Sequence, residues 1–566
     1  MAKNLEKRFW ANLKPAVLLS AAMAFLIFIY APIDLYSTNI MDFSFDLFDI
    51  LHFFPLLAFC FFVLLSVISF FFSRASAKIY PAYLSLFALG FIALAIQGIF
   101  LTKNLPLLDG ADIDWADYPQ LMFSSVVAWG LSFVIALLLF FFWKKLKGNL
   151  LVSYIGGFGL LFLIVSLVTS CFSNDAVLKD KTDTFMTADG VMDASSDENF
   201  YILLLDSIDE KAFENYIGCN SKLEEDLNGF TLFSNTLASY PYTTRAVPYI
   251  LFGNVYDNTL YYPYWIKESI EKSEFMHLLD EKEYNKNVFF EYIQRADIQE
   301  ETFGNFKTLD KFKDPSKFCK MIVKLTGLKY APFSLKKYCV LTPDDIYYDT
   351  LRTSSDENID YYSFDNREFY QRLTTSQFNL TDNKQFSFLY VNGAHYPYLY
   401  DGELNPIENG TYEDALRSSS EIIDAFLSKL KNSGIYDNSV VVILADHSVN
   451  LEDPTSCEKK QNPMLMIKGR GEKHQFQKND APVSHADLQQ AFINLCMGSS
   501  SDDCFAWQEG DQRERIFFQS DVVAEATITE LSTNCHASDY EALLPTGMVY
   551  EFDWNTAVPA GAKLPD

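Results

Sequence analysis

Asp206, Thr243, Asp446 and His447 are the residues of this chain whose types and positions could do chemistry. An apolar run at 200–205 stops at Asp206, and a second at 440–445 stops at Asp446-His447. A carboxylate or imidazole at the carboxyl end of a buried strand is held rigidly, at the edge where open α/β sheets place their sites. Between the two lies Tyr240-Pro241-Tyr242-Thr243-Thr244-Arg245-Ala246-Val247-Pro248, which reads as a turn followed by a helix start. Hydroxyls there sit where backbone N–H groups and the helix dipole favour an anion such as a phosphoryl group. Singly, each feature has a plainer reading: Asp206 as a helix cap, Thr243 as an N-cap, Asp446-His447 as a surface turn. Together, Asp, Thr, Asp and His suit one hard or borderline divalent ion such as Zn²⁺ or Mn²⁺.

The elements that must position these residues follow from hydrophobic patterning. Short apolar runs recur at 386–391 and 464–468, bounded by turn signals, as buried parallel strands are. A helical period covers 412–431, with Ala415, Ile422, Ile423, Phe426 and Leu430 on one face and Gly434 placed as a C-cap; another covers 486–496. Strands alternating with helices imply an α/β layer fold around a mostly parallel sheet over 199–566. Residues 173–198 read as a linker, and 255–380, rich in Tyr, Phe, Lys and Asp without a firm period, as an insertion that leaves the main sheet. Internal repeats are absent.

The first 172 residues have a different character. Five apolar stretches, 16–36, 49–72, 82–101, 121–143 and 150–172, are each long enough for a helix to cross about 30 Å of hydrocarbon. Cations alternate between the connecting segments. Lys3, Lys7, Arg8 and Lys14 precede the first stretch, Arg74 and Lys78 follow the second, and Lys144, Lys145 and Lys147 follow the fourth. Segment 34–46 has no cation, and 102–120 has Lys103 against Asp109, Asp112, Asp114 and Asp117. The positive-inside rule then puts the N-terminus in the cytoplasm and the chain from about residue 173 outside. The first stretch lacks a small-residue cleavage site, so it reads as a span and not a signal peptide.

The formal net charge of −28 argues against a nucleic-acid partner. Of nine cysteines, Cys60 and Cys171 fall in or beside spans; the seven outside are Cys219, Cys319, Cys339, Cys457, Cys496, Cys504 and Cys535. Cys496/Cys504 and Cys319/Cys339 are the expected disulfide pairs, being close in sequence in an oxidising compartment. His52 lies in a span, and His277, His474 and His536 stand where surface roles are commoner than ligation.

Three strings carry a family resemblance. Gly434-Ile435-Tyr436-Asp437-Asn438-Ser439-Val440-Val441-Val442-Ile443-Leu444-Ala445-Asp446-His447 resembles the G-x-Y-D-N-[ST] to D-H-G signature of the sulfatase-like branch of the alkaline phosphatase superfamily. Ser484-His485-Ala486-Asp487-Leu488 through Gly498 resembles that branch's later helix, and His395-Tyr396-Pro397-Tyr398 its H-x-P-[YF] substrate loop. Five spans followed by such a domain is the layout of lipoteichoic acid synthases and lipid A phosphoethanolamine transferases. The resemblance implies an alkaline-phosphatase-like domain outside a bacterial-type plasma membrane. It implies one divalent metal, Zn or Mn, on Asp206, Thr243, Asp446 and His447. Thr243 would be the nucleophile, with Thr244 the alternative. His395 would meet the substrate phosphate or assist the leaving group, and His485 would lie near the site or pack at a helix start. The implied partners are a membrane phospholipid as donor and an envelope glycan, polymer or lipid as acceptor. The same residues would serve a phosphodiesterase or phosphatase, and a decayed site would leave a non-catalytic membrane sensor.

Two departures bear on the chemistry. A sulfatase proper uses a Cys or Ser converted to formylglycine in a C/S-x-P-x-R context, and 240–245 offers none. The family's Gly after Asp-His is Ser448 here, so a different local turn is expected.

Overall fold

The computed structural model describes residues 2–551 apart from 41–42, 44, 75–77, 103–104, 107, 109–112, 174, 179–183, 261, 291, 294–297, 299, 309–313, 343–359, 457 and 521–526. Lys103, Asp109, Asp112 and Cys457 therefore lie outside the described residues, as do the side chains of Lys3, Lys7 and Arg8. The chain forms two compact units, one of 184–308 with 356–566 and the other of 1–183 with 309–355.

The first of these is an α/β domain built on a seven-stranded sheet. In chain order its strands are β1 (Asn199–Leu205), β2 (Thr231–Phe233), β3 (Asn285–Phe289), β4 (Gln385–Val391), β5 (Ser439–Leu444), β6 (Leu465–Lys468) and β7 (Gln477–Asn479); their spatial order is β7-β2-β6-β5-β1-β4-β3. Four of the six pairings are parallel; β6 runs antiparallel to both β5 and β2. β1, β4 and β5 are buried along their whole length, which is why they read as near-continuous apolar runs and not as alternating ones. The helix Tyr412–Asn432 opens with a capping box between Thr411 and Asp414 and buries the predicted stripe. Helix α1 (Thr243–Phe252) ends at Gly253 in the left-handed conformation. A separate antiparallel sheet of Arg515–Ser520, Thr527–Thr533 and Leu544–Glu551 follows.

Two segments differ from expectation. The stretch 173–198 is more than a tether: Thr184–Met186 pairs with Phe306–Thr308 and Asp193–Ser195 with Asn379–Thr381, because Phe185, Met186, Val191 and Ala194 supply enough apolar surface to be buried. Among its described residues, the stretch 255–380 returns to the main sheet at β3. Polar Asn285, Lys286 and Asn287 ahead of buried Val288 and Phe289 hid that strand from pattern reading.

The expected disulfides are not formed: all eight described cysteines are free thiols. Cys504 instead donates to the Ser501 carbonyl at 3.1 Å, and Cys339 lies 3.7 Å from the Leu335 carbonyl in its own segment. Closeness in sequence does not bring Cβ atoms into bridging geometry.

The second unit holds five helices long and apolar enough to cross a membrane: Leu13–Thr38, Leu47–Ser73, Ile79–Phe100, Pro119–Phe141 and Gly148–Phe172. We refer to them as spans 1 to 5. Span 1 passes through one π-helical stretch, Leu26–Tyr30, just before Pro32, whose missing N–H already breaks the regular ladder. Span 2 starts with a capping box between Asp46 and Asp49. Large apolar side chains such as Phe59, Phe71, Phe123, Phe141, Phe158 and Phe172 face outward, as lipid-facing residues do. The chain is thus built as a multi-pass membrane protein.

This unit also contains helix α2 (Pro315–Tyr330) and the short α3 (Phe333–Lys336). The Tyr330 ring packs against Gly98 of span 3, where a Cβ would come within 2.0 Å of it. Gly98→Ala is expected to displace that ring and lower the apparent melting temperature of the detergent-solubilised protein, at a cost of about 1–3 kcal/mol for overpacking. An unchanged melting curve would show that Tyr330 is not held there.

Candidate metal centre

β1 and β5 are parallel neighbours with Leu204 opposite Leu444, so the residues that follow them emerge side by side at the carboxyl edge of the sheet. Asp206, Asp446 and His447 are all buried there, and each offers a ligand atom within 4.8 Å of the others. His447 Nε2 is 3.7 Å from Asp206 Oδ1 and 3.4 Å from Asp446 Oδ2. Thr243 is the first residue of α1, and Tyr242, not Thr243, holds the N-cap position. Its Oγ1 donates to Asp206 Oδ2 at 3.1 Å and lies 3.5 Å from His447 Nε2. The four residues singled out in the sequence are thus brought together. Thr244 makes no hydrogen bond to any of them among the described residues. Nor does Asp206 cap a helix; Asp209 caps the next one, at Glu210.

Backbone contacts fix the site. The Asp206 N–H donates to the Val391 carbonyl at 3.1 Å, and the Asp206 carbonyl accepts from Ala394 N at 2.8 Å. Between these contacts sits Gly393, where a Cβ would lie 2.6 Å from Asp206 N, and its φ of +56° suits glycine as well. Asn366 grips Gly393 from the other side, accepting its N–H and donating to its carbonyl. His395 follows on this loop. It is exposed, and its charge bears on Asp206 and His447, but its ring hydrogen-bonds to neither. His485 lies apart from the cluster, buried with neither ring nitrogen hydrogen-bonded; burial lowers its pKa to about 3.

Electrostatics define what the centre can hold. His447 Nδ1 lies 2.8 Å from the Ser448 carbonyl, which only accepts, so Nδ1 carries the proton and Nε2 presents a lone pair. Burial, helped by the Lys460 charge, lowers His447 to about 3, so the ring is neutral at physiological pH. Burial works to raise Asp206, but His395, His447, Tyr390 and Ser207 together outweigh it and keep it ionised. Burial and the Asp206 charge push Asp446 well above the usual carboxylate range, and its Oδ2 has no hydrogen-bond partner. Two carboxylates, a lone pair and a hydroxyl face one another in a buried space with an orphaned oxygen. That donor set fits a divalent cation, and a proton on Asp446 is the next best compensation.

Four further residues support the site, and of these only Ser448 was singled out in the sequence. Tyr390, on β4, donates to Asp206 Oδ2 at 2.6 Å. Ser207, in the left-handed region at φ +61°, donates its N–H to Asp446 Oδ1 at 3.3 Å and its hydroxyl to Asp206 Oδ1 at 2.7 Å. Such a backbone state in a non-glycine residue is uncommon and concentrates at sites. Ser448, in place of the family glycine, has no positive φ; its buried hydroxyl donates to Asp209 Oδ2 at 2.7 Å, so glycine's freedom is not needed here. Lys460 is buried with Nζ 5.1 Å from the Tyr242 ring centre, close enough for its charge to reach His447. The Tyr390 signal was a hydroxyl near the carboxyl end of a mostly apolar strand next to β1; the others depend on loop geometry. Tyr390→Phe removes the donor that orients Asp206 and is expected to weaken metal affinity about 10–100-fold, as loss of an outer-sphere partner does. Competition with a fluorescent chelator reads this; unchanged affinity would mean Asp206 needs no such support.

The sequence model of the family described as Sulfatase matches residues 198–499, more than half of the chain. The chain belongs to the sulfatase family. Its buried Asp206/Asp446/His447 cluster lies in this sulfatase-family catalytic domain. No curated protein matches the sequence. Among solved structures, the chain is similar to the lipoteichoic acid synthase LtaP from Listeria monocytogenes, with 13% identity and a TM-score of 0.35 over 62% of this chain and 86% of that one. It is also similar to an alkaline phosphatase superfamily protein from Vibrio parahaemolyticus, with 12% identity and a TM-score of 0.33 over 65% of this chain and 81% of that one.

Proposed function

We propose that this sulfatase-family protein is a membrane-bound, metal-dependent transferase. It moves a phosphoglycerol or phosphoethanolamine headgroup from a phospholipid to an envelope glycan, polymer or lipid through a phospho-threonine. The observation that carries the reading is the Thr243 hydroxyl at the open end of a helix, 3.1 Å from a carboxylate and 3.5 Å from a neutral imidazole lone pair. A divalent ion, Zn or Mn, held by Asp206, Asp446, His447 and Thr243 would supply Lewis acidity toward the hydroxyl and the phosphodiester.

The chain's own groups do the rest. Thr243 Oγ attacks phosphorus and gives its proton to Asp206 Oδ2, the acceptor it already faces. The bond from phosphorus to the diacylglycerol oxygen breaks, and the exposed His395 protonates the leaving alcohol. No side chain caps the N-terminus of α1, so its dipole and first amides favour the phosphoryl oxygens. The buried Lys460 adds positive charge nearby. An acceptor hydroxyl then attacks phosphorus and gives its proton to the His395 ring that lost one, while the bond from phosphorus to Thr243 Oγ breaks and Asp206 Oδ2 returns its proton, so that Thr243 leaves as the alcohol. Covalent connection to five spans raises the effective concentration of a lipid donor. The alternation of Lys and Arg between spans supports a cytoplasmic N-terminus with the catalytic domain outside a bacterial-type plasma membrane.

The test is product analysis with the full-length protein in mixed micelles of fluorescent phosphatidylglycerol or phosphatidylethanolamine. Metal-dependent release of diacylglycerol that accelerates with a glycan acceptor supports transfer. Release into free glycerol phosphate or phosphoethanolamine, indifferent to acceptor, makes the protein a phosphodiesterase. No turnover of either lipid by metal-loaded protein overturns the proposal.

A further inference from the structure

The most basic stretch of this acidic chain lies on the spans. Residues 315–342 contain six lysines, Lys317, Lys320, Lys324, Lys329, Lys336 and Lys337, and no Asp or Glu, in a chain of net charge −28. They form α2 and α3, which pack on one end of the helical bundle. The Phe318 ring lies 5.1 Å from Phe45 and 5.9 Å from Phe53 in span 2. Tyr330 covers Gly98 of span 3 and donates to Asp34 of span 1 at 2.6 Å. Phe333 N donates to Ser125 of span 4 at 3.0 Å, and its ring meets Trp115 at 5.6 Å. Spans 1 and 3 end here and spans 2 and 4 begin here, so the two helices cross the bundle at the depth where hydrocarbon gives way to headgroups.

The lysines divide by task. Lys329 pairs with Asp34 at 2.7 Å, and the buried Lys336 donates to the Leu328 and Lys329 carbonyls that close α2. Lys317 stands beside the cap residue Asp314. Lys320, Lys324 and Lys337 have no acidic partner among the described residues. At 100° per residue, Lys317, Lys320 and Lys324 fall within about 60° of arc, flanking the stripe of Phe318, Met321, Ile322 and Leu325 that faces the spans. Val323, Leu335 and Tyr338 are exposed apolar or aromatic neighbours of these cations. A helix with a buried stripe, a flanking row of lysines and exposed apolar residues at headgroup depth is built for a lipid surface.

We propose that the α2–α3 segment is a binding surface for anionic phosphoglyceride headgroups of the surrounding leaflet, with Lys320, Lys324 and Lys337 contacting lipid phosphates. A zwitterionic headgroup offers these lysines no net attraction, whereas an anionic one does, and the interaction is screened by salt. This surface belongs to the unit that holds the spans, and its binding does not depend on any transfer activity.

The test uses full-length protein in phosphatidylcholine nanodiscs with a minority of phosphatidylserine, which is neither of the donors proposed above. After mild extraction the lipid retained by the protein is quantified. The wild type should retain phosphatidylserine enriched about fivefold or more over its share of the disc, the ratio expected from one interfacial lysine. High salt should erase the enrichment. The triple variant Lys320→Gln/Lys324→Gln/Lys337→Gln should retain lipid at the disc ratio with an unchanged melting temperature, since Lys320 and Lys337 are exposed, Lys324 is half-buried and none of the three has an acidic partner among the described residues. The corresponding triple arginine variant should behave as wild type. Equal retention of both lipids by the wild type, or undiminished enrichment in the glutamine variant, would overturn the proposal.

Discussion

Thr243→Ala is expected to lower headgroup transfer on the order of 10⁴-fold or more, as loss of an attacking group does. It should leave bound metal largely in place. Asp206, Asp446 and His447 come from strand ends and do not depend on the threonine for position. A purely structural role for Thr243 would instead reduce metal content and activity together. Two companions sharpen the result. Thr243→Ser keeps an oxygen at the same place and should retain activity within about tenfold. Thr244→Ala should be near wild type, because that hydroxyl makes no contact with the cluster among the described residues. Mass spectrometry of acid-quenched wild-type protein should find a phosphoglycerol or phosphoethanolamine adduct on Thr243. An alanine variant that still turns over lipid at the wild-type rate would remove this residue from the chemistry.

Asp446→Asn should move stability in opposite directions with and without metal. In metal-free protein Asp446 is buried against Asp206, within 4.8 Å, with Oδ2 unpartnered. Two ionised carboxylates at that distance repel by about 3–4 kcal/mol at an effective dielectric near 20. The fold avoids this by keeping Asp446 protonated or cation-bound. Asparagine removes the charge and offers an N–H toward Asp206, so the metal-free variant should melt several degrees higher than metal-free wild type. Adding metal should then reverse the order. Wild type gains about 2.7 kcal/mol at a metal concentration near 100 Kd, whereas the variant has lost an anionic ligand and gains little. Scanning calorimetry with and without Zn²⁺ or Mn²⁺ reads both arms. A variant stabilised by metal as much as wild type would place the cation elsewhere.

The disulfides show where sequence proximity misleads. Cys496 and Cys504 are eight residues apart, yet both are buried thiols, and Cys504 is satisfied by a local carbonyl. The same lesson applies to Ser448. A missing family glycine implied a changed turn, but the backbone there needs no positive φ, and the serine hydroxyl secures Asp209.

What the sequence determined by itself was whatever depends on local periodicity and on abrupt ends of apolar runs. Spans 1 to 5 announce themselves because hydrocarbon demands an unbroken apolar helix of sufficient length. Asp206 and Asp446-His447 announce themselves because a strand buried on both faces tolerates no charge until it leaves the core. The tertiary structure alone decided which distant groups share a space. The register of β1 between β4 and β5 sets Tyr390 on Asp206, and the packing of α1 sets Thr243 over the carboxylates. It also turned the aperiodic stretch 255–380 into a sheet strand and a lysine-bearing helix on the spans. Those contacts join residues tens to hundreds of positions apart, and their energies come from burial and hydrogen bonding that no local window contains.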